Sequence, residues 1–218
     1  MSRPYPDNNT CCTLRQPVHL LLLEAPMRDL VYYIATSIDG FIADPVGDTS
    51  GFPVHPDTVS TLFSRYPETC PIHLREAFGI TAEPRRFDTA VMGARTYAPA
   101  RDAGLAEGAY PHLRQIVVTH DGVSLPPAVE AVRGDVVTRI TDLKAEPGRD
   151  VWLCGGGDLA GLLIDVIDEI QVKINPVLLG DGIPLVAGAA AWRRFTCVGA
   201  ELLPGGVILG TYRRTGDA

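Results

Sequence analysis

Residues 151–164 read VWLCGGGDLAGLLI, and this stretch decides the fold. Val151, Trp152, Leu153 and Cys154 form a short apolar run of the kind that becomes a buried strand. Three glycines interrupt it, and residues 159–167 continue with apolar residues at helical spacing. Glycine lets a backbone approach a ligand with no β-carbon in the way. The first N–H groups of the following helix lack partners and carry partial positive charge, which suits phosphate. Taken alone, a glycine triplet is equally well a tight strand-to-helix turn that binds nothing.

Gly155-x-Gly157-x-x-Ala160 also matches the glycine fingerprint of the doubly wound dinucleotide-binding fold. That fold calls for further βαβ units and an acidic residue ending the next strand. Here the next strand, EIQVKI at 169–174, ends in Asn175-Pro176, and only a hairpin region remains. The doubly wound reading is therefore set aside.

Upstream, LVYYIATSIDGFIA (30–43) is a strand pattern with an Asp39-Gly40 turn inside it. Residues 44–55 are rich in Gly, Pro and Asp and read as a loop. Pro56 opens a helix with Val59, Leu62 and Phe63 at helical spacing, ended by Pro67, and a second short helix is expected over 71–78. TAVM (89–92) and QIVVT (115–119) are buried strands, and 129–132 is a weaker one. Asp135 is placed to cap a helix carrying Val136, Val137, Ile140 and Leu143. Residues 194–214 alternate around Pro204-Gly205-Gly206, a β-hairpin pattern. Strands alternating with helices, closed by a hairpin, give an α/β layer fold with a mainly parallel sheet and an antiparallel edge.

The chain has 218 residues, 46% apolar and 21% charged, which is ordinary globular composition and enough for a full core. Its net charge of −7 argues against nucleic acid or an anionic membrane as the main partner. The five cysteines show no CxxC spacing and no cluster with histidine, so no metal site is expected, and reduced thiols of a cytoplasmic protein are. Cys154 and Cys197 lie in apolar runs and read as small core residues. Residues 1–26 differ from the rest: they are polar and Pro-containing, with one apolar run at 18–23 too short for a targeting signal. They are expected to form an unstructured arm before a single domain at 27–218.

Four further segments carry chemistry. AVMGARTY (90–97) is a strand ending at Gly93, with Arg95 as a forked phosphate donor and Thr96 as a hydroxyl at a helix start. VVTH (117–120) ends another strand with Thr119 and His120, and NPVLLGDGIP (175–184) is a shaped loop near a sheet edge. The fourth is the turn at Asp39. Alone, each has a bland reading as a turn or a surface residue. In the order strand-DG, strand-MGxRT, strand-TH, strand-GGG-helix they resemble the dihydrofolate reductase-like superfamily, most closely the branch holding the C-terminal reductase domain of bacterial riboflavin biosynthesis. The resemblance runs from about residue 30 to 214, and its most specific parts are the GGG-helix and INPVLLGDGIPLV (174–186) segments.

The resemblance implies a three-layer αβα fold and NADPH lying across the C-terminal strand ends. Gly93, Arg95 and Thr96 would hold the adenosine phosphate or pyrophosphate, with Thr119 and His120 near the adenosine ribose. Gly155, Gly156, Gly157, Asp158, Leu159 and Ala160 would cradle the pyrophosphate, with a cis peptide between Gly155 and Gly156. Ala35 and Ile42 would border the nicotinamide, with Thr36 and Asp39 at the mouth of the cleft. Relatives often carry Arg after the Met-Gly pair, where this chain has Ala94, so Arg95 is left as the donor there. Residues 44–66 lack the Pro-Trp pair and following acid of dihydrofolate reductases proper, which speaks against folate; Asp57 is the sole acid of the helix region, near His55. Asp39 and Asp57 are the candidates to position a proton-carrying water or the substrate. The activity implied is reduction of a small pteridine- or pyrimidine-like heterocycle by a homodimer. The alternative is a non-catalytic NADP(H)- or nucleotide-binding module.

Overall fold

The apolar runs at 30–36, 115–118 and 151–155 become interior strands of one sheet, where both faces are covered and polar alternation would be costly. The computed structural model describes residues 27–120, 124–189 and 191–216. The expectations for residues 1–26 lie outside the described residues. In chain order the strands are β1 (Leu30–Thr36), β2 (Phe41–Ala43), β3 (Phe87–Gly93), β4 (Arg114–Val118), β5 (Val129–Val132), β6 (Asp150–Gly155), β7 (Glu169–Ile174), β8 (Ile183–Pro184), β9 (Phe195–Leu202) and β10 (Ile208–Arg214). The helices are α1 (Pro56–Arg65), α2 (Ile72–Arg75), α3 (Ala94–Asp102), α4 (Val136–Ala145) and α5 (Gly157–Leu162).

The main sheet has the order β5-β4-β3-β6-β1-β7-β10-β9. Its first six strands are mutually parallel, and β10 and β9 close it as the expected antiparallel hairpin. On one face Leu30, Tyr32, Ile116 and Leu153 pack under Ile140 and Leu143 of α4 and Leu159 and Ala160 of α5. On the other, Val31, Tyr33, Met92 and Trp152 pack with Tyr97 and Ala100 of α3 and with Tyr66. This is the three-layer arrangement. The Asp135 carboxylate caps α4 by accepting from the Thr138 N–H at 3.1 Å.

The structure departs from the sequence reading at several points. The helix expected over 159–167 starts two residues earlier and ends as α5 at Leu162. The helix expected over 71–78 is only the single turn of α2. Ile183–Pro184, hidden in a Gly- and Pro-rich loop, forms a small antiparallel ladder with β2. Cys197 is exposed rather than a core residue, because β9 is the edge strand and almost all of it faces outward. Cys154 is half-buried.

Candidate functional site

In a parallel sheet the C-terminal strand ends converge on one rim, and ligands of such folds collect there. Here the rim is built by Thr36 ending β1, Gly93 ending β3 and Gly155 ending β6. The Gly155–Gly156 peptide is cis, as the resemblance implies, and Gly155 takes a φ of 139°. A β-carbon on Gly156 would lie 3.7 Å from Thr96 Oγ1 and 3.8 Å from Ile42 Cδ1. One on Gly155 would lie 3.6 Å from Ile34 Cδ1 and 3.8 Å from Thr96 Oγ1. These are ordinary contacts, so nothing in the protein forces glycine at 156 by collision. The glycine pair leaves a cradle, walled by Thr96 and Ile42, that a side chain would fill. The cradle fits a flat or phosphate-bearing group laid against bare backbone, and NADPH meets that requirement.

Gly157 and Gly161 are glycine for a different reason. A β-carbon on Gly157 would fall 2.2 Å from the Pro184 carbonyl oxygen, and one on Gly161 would fall 1.6 Å from that of Ala187. Both glycines let the 182–187 segment lie directly on α5. Arg95 and Asp158, each expected to face phosphate, form an ion pair with each other across the cradle. Their side chains are 77% and 70% exposed, so the pair is a solvent-screened clasp.

The remaining sequence candidates divide. Thr36 is buried, and its hydroxyl donates to the Phe41 carbonyl at 3.1 Å, pinning the β1–β2 turn. Ala35 is half-buried beside Lys173 in the β1–β7 register. Thr119 is buried, its N–H bonded to the Val132 carbonyl at 3.1 Å, and His120 is exposed just beyond β4. The side chains of Leu159 and Ala160 pack in the core, and the Ala160 N–H already donates to the Gly156 carbonyl at 2.9 Å.

Asp39 is committed elsewhere. Its carboxylate accepts from the Gly180 N–H at 2.7 Å and the Leu179 N–H at 3.2 Å, tying the 175–184 loop to the β1–β2 turn. The Ser37 hydroxyl and these amides hold its pKa down at about 2. Such a carboxylate stays ionised and carries no proton at neutral pH. Asp57 is exposed on the first turn of α1 and does not line the cavity beneath that helix.

That cavity was not legible in the sequence. It has a volume of about 260 Å³ and is walled by Tyr33 and Trp152 from the sheet, Phe63 from α1, Tyr110 and Lys173. A second cavity of about 210 Å³ is lined by Thr96, Met92, Cys154 and, again, Tyr110. Thr96 thus belongs to both the glycine cradle and the second cavity, and Tyr110 to both cavities. The second cavity therefore lies between the glycine cradle and the aromatic cavity, sharing one residue with each. The Lys173 Nζ stands 3.7 Å from the Tyr33 ring centre. Burial lowers its pKa to about 8, while burial pushes the Cys154 thiol up to about 12.

The sheet order, the closing hairpin and the glycine rim define a dihydrofolate reductase-like protein. More narrowly, the chain belongs to the RibD C-terminal domain family, whose model matches residues 28–209. It is 23% identical over 193 residues to the YyaP protein of Bacillus subtilis (strain 168), covering 87% of this chain and 96% of that protein. Among solved structures it is similar to a putative riboflavin biosynthesis protein from Shewanella sp. PV-4, with 27% identity, a TM-score of 0.61, and coverage of 86% of this chain and 99% of that one. A dihydrofolate reductase from Enterococcus faecalis, complexed with NADP(H), shares the fold at 15% identity and a TM-score of 0.57, covering 86% of this chain and 97% of that one.

Proposed function

We propose that the chain is an NADPH-dependent reductase of a small pteridine- or pyrimidine-like heterocycle, acting as a homodimer. The observation that carries this reading is the Gly155–Gly156 cradle, free of side chains and sharing Thr96 with the neighbouring cavity of about 210 Å³. Family membership and the NADP(H) complex of the Enterococcus faecalis relative support the same cofactor. When bound, the nicotinamide would supply the hydride. The chain's own residues bind and orient. The backbone of residues 155–157 would hold the pyrophosphate, Arg95 would take a phosphate in exchange for Asp158, and Thr119 and His120 would serve the adenosine end. Ala35 is small enough to let a ring approach β1, and Ile42 closes the apolar side. Aromatic walls exclude water from the substrate end.

The dimer is supported by the hairpin edge, where Val198, Leu202 and Ile208 are exposed on β9 and β10, an edge that calls for cover. A second reading, a nucleotide-binding module without turnover, is favoured by one observation: neither Asp39 nor Asp57 reaches the aromatic cavity. NADPH oxidation measured against pteridines, dihydrofolate, ribosylaminopyrimidines and quinones separates the two. Turnover with a pteridine or pyrimidine is expected. Tight NADPH binding with no turnover on any of them would favour the module.

A further inference from the structure

Strand β7 carries Glu169, Gln171 and Lys173 on one face, alternating with Ile170, Val172 and Ile174. It lies between β1 and β10, so each polar residue on it needs a partner. Glu169 accepts from the Arg86 guanidinium at 2.8 Å, and Gln171 donates to Glu169 at 2.7 Å and to the Tyr66 hydroxyl at 3.0 Å. Lys173 breaks the series. Among the described residues its ammonium makes no hydrogen bond and no ion pair, and it faces the Tyr33 ring instead. Tyr33 is 2% exposed, and its buried hydroxyl also has no partner. Lys173 and Tyr33 thus both line one aromatic cavity, and a cation–π contact replaces only part of a lysine's lost hydration.

We infer that Lys173 is the substrate-binding cation of this site and that the cavity takes a planar heterocycle bearing an anionic oxygen, such as a pyrimidine or pteridine enolate. The inference rests on reading the cavity as the substrate end of the proposed reductase. The volume of 260 Å³ is close to the lower end of small-molecule sites, about 300 Å³, which suits one or two fused rings. Charge selects the oxygen: no carboxylate lines the cavity to hold a cationic 2-amino ring, whereas an ammonium holds an enolate. The titratable groups facing Lys173 are Tyr33 from β1, Cys154 from β6 and Tyr110 ahead of β4. The α1 residues Val59, Leu62 and Phe63 are apolar, as is Leu209, its register partner on β10. With the thiol and phenols neutral at physiological pH, Lys173 is the charge that changes first, losing its proton as pH rises through about 8.

The test uses the full chain carrying Trp192→Phe, which leaves Trp152, a wall of the cavity, as the one tryptophan of two. Barbiturate is the probe, a planar pyrimidine enolate whose single charge is constant from mildly acidic to mildly alkaline pH; uracil is its neutral counterpart. Barbiturate is expected to quench Trp152 at about pH 6.5 with at least tenfold higher affinity than uracil, and to lose about tenfold or more at about pH 9.5. Lys173→Met should abolish that pH dependence and weaken barbiturate to the uracil level. Equal affinity for the two ligands, no pH dependence in the parent protein, or no quenching by millimolar barbiturate would each overturn the inference, without reliance on the variant folding. NADPH titrated into the same samples reports separately: barbiturate binding without NADPH binding would defeat the reductase reading and leave the anion site standing.

Discussion

Gly157 lies directly against the main-chain carbonyl of Pro184, with no room between them for a β-carbon, which would fall 2.2 Å from the oxygen. The contact seats the 182–187 segment on α5, the helix that follows the glycine cradle. Backbone on both sides leaves nothing flexible to move. Gly157→Ala is expected to cost about 2–3 kcal/mol through overpacking. Thermal unfolding should show a melting temperature lower by about 4–12 °C. An unchanged melting temperature would mean that this contact is not a fixed feature of the fold.

Glu68 makes the opposite kind of demand. It is fully buried, and its carboxylate collects the N–H groups of Arg86 and Phe87, each at 2.8 Å, and of Arg85 at 3.1 Å. It thereby anchors the entry of β3 to the turn after α1. Glu68→Ala leaves three amides without this acceptor, and a loss of about 2–4 kcal/mol in urea unfolding is expected. Glu68→Gln, which keeps one acceptor oxygen, should lose less.

The pin between Asp39 and the 175–184 loop has a defined pH window. The folded carboxyl is depressed to about 2 from an ordinary 3.8. Its contribution is therefore present above the ordinary value and is lost as pH falls through about 2. The amide chemical shifts of Leu179 and Gly180 should hold from neutral pH down to about 4 and move only on approach to about 2. Asp39→Asn should move both at neutral pH. Shifts that titrate near 4 in the parent protein would show that the carboxylate is not held by these amides.

Much of the fold was legible because interior parallel strands are apolar on both faces, so residues 30–35, 116–118 and 151–154 announce themselves as unbroken runs. The glycine cradle was legible for a similar reason: three glycines have no side-chain purpose of their own. The need for glycine at 157 and 161 was not, since it comes from the carbonyls of Pro184 and Ala187, distant contacts that no local propensity encodes. The exposure of Cys197 depends on β9 being the edge. Lys173 left a signal, the polar alternation Glu169, Gln171, Lys173, but that alternation is ordinary on a half-exposed strand. It becomes telling only once β7 is known to lie between β1 and β10.

The β9–β10 edge bears on assembly. Leu202 is 74% exposed and Val198 55% exposed on a strand with free backbone groups along its outer side. Light scattering at micromolar concentration should give the mass of two chains, and Leu202→Glu with Val198→Lys should give that of one. A monomeric parent protein would contradict the dimer.

If the bare backbone at Gly155–Gly156 is a cofactor cradle, NADPH fluorescence titration of the parent protein beside Gly156→Ala will show it. A β-carbon at 156 meets only ordinary contacts within the protein, so the variant should keep its circular dichroism and its melting temperature. Saturable NADPH binding well below millimolar in the parent protein, weakened at least about tenfold in the folded variant, is the expected result. No NADPH binding by the parent protein, or a Gly156→Ala variant that binds it equally well, would mean that the glycine pair holds no cofactor.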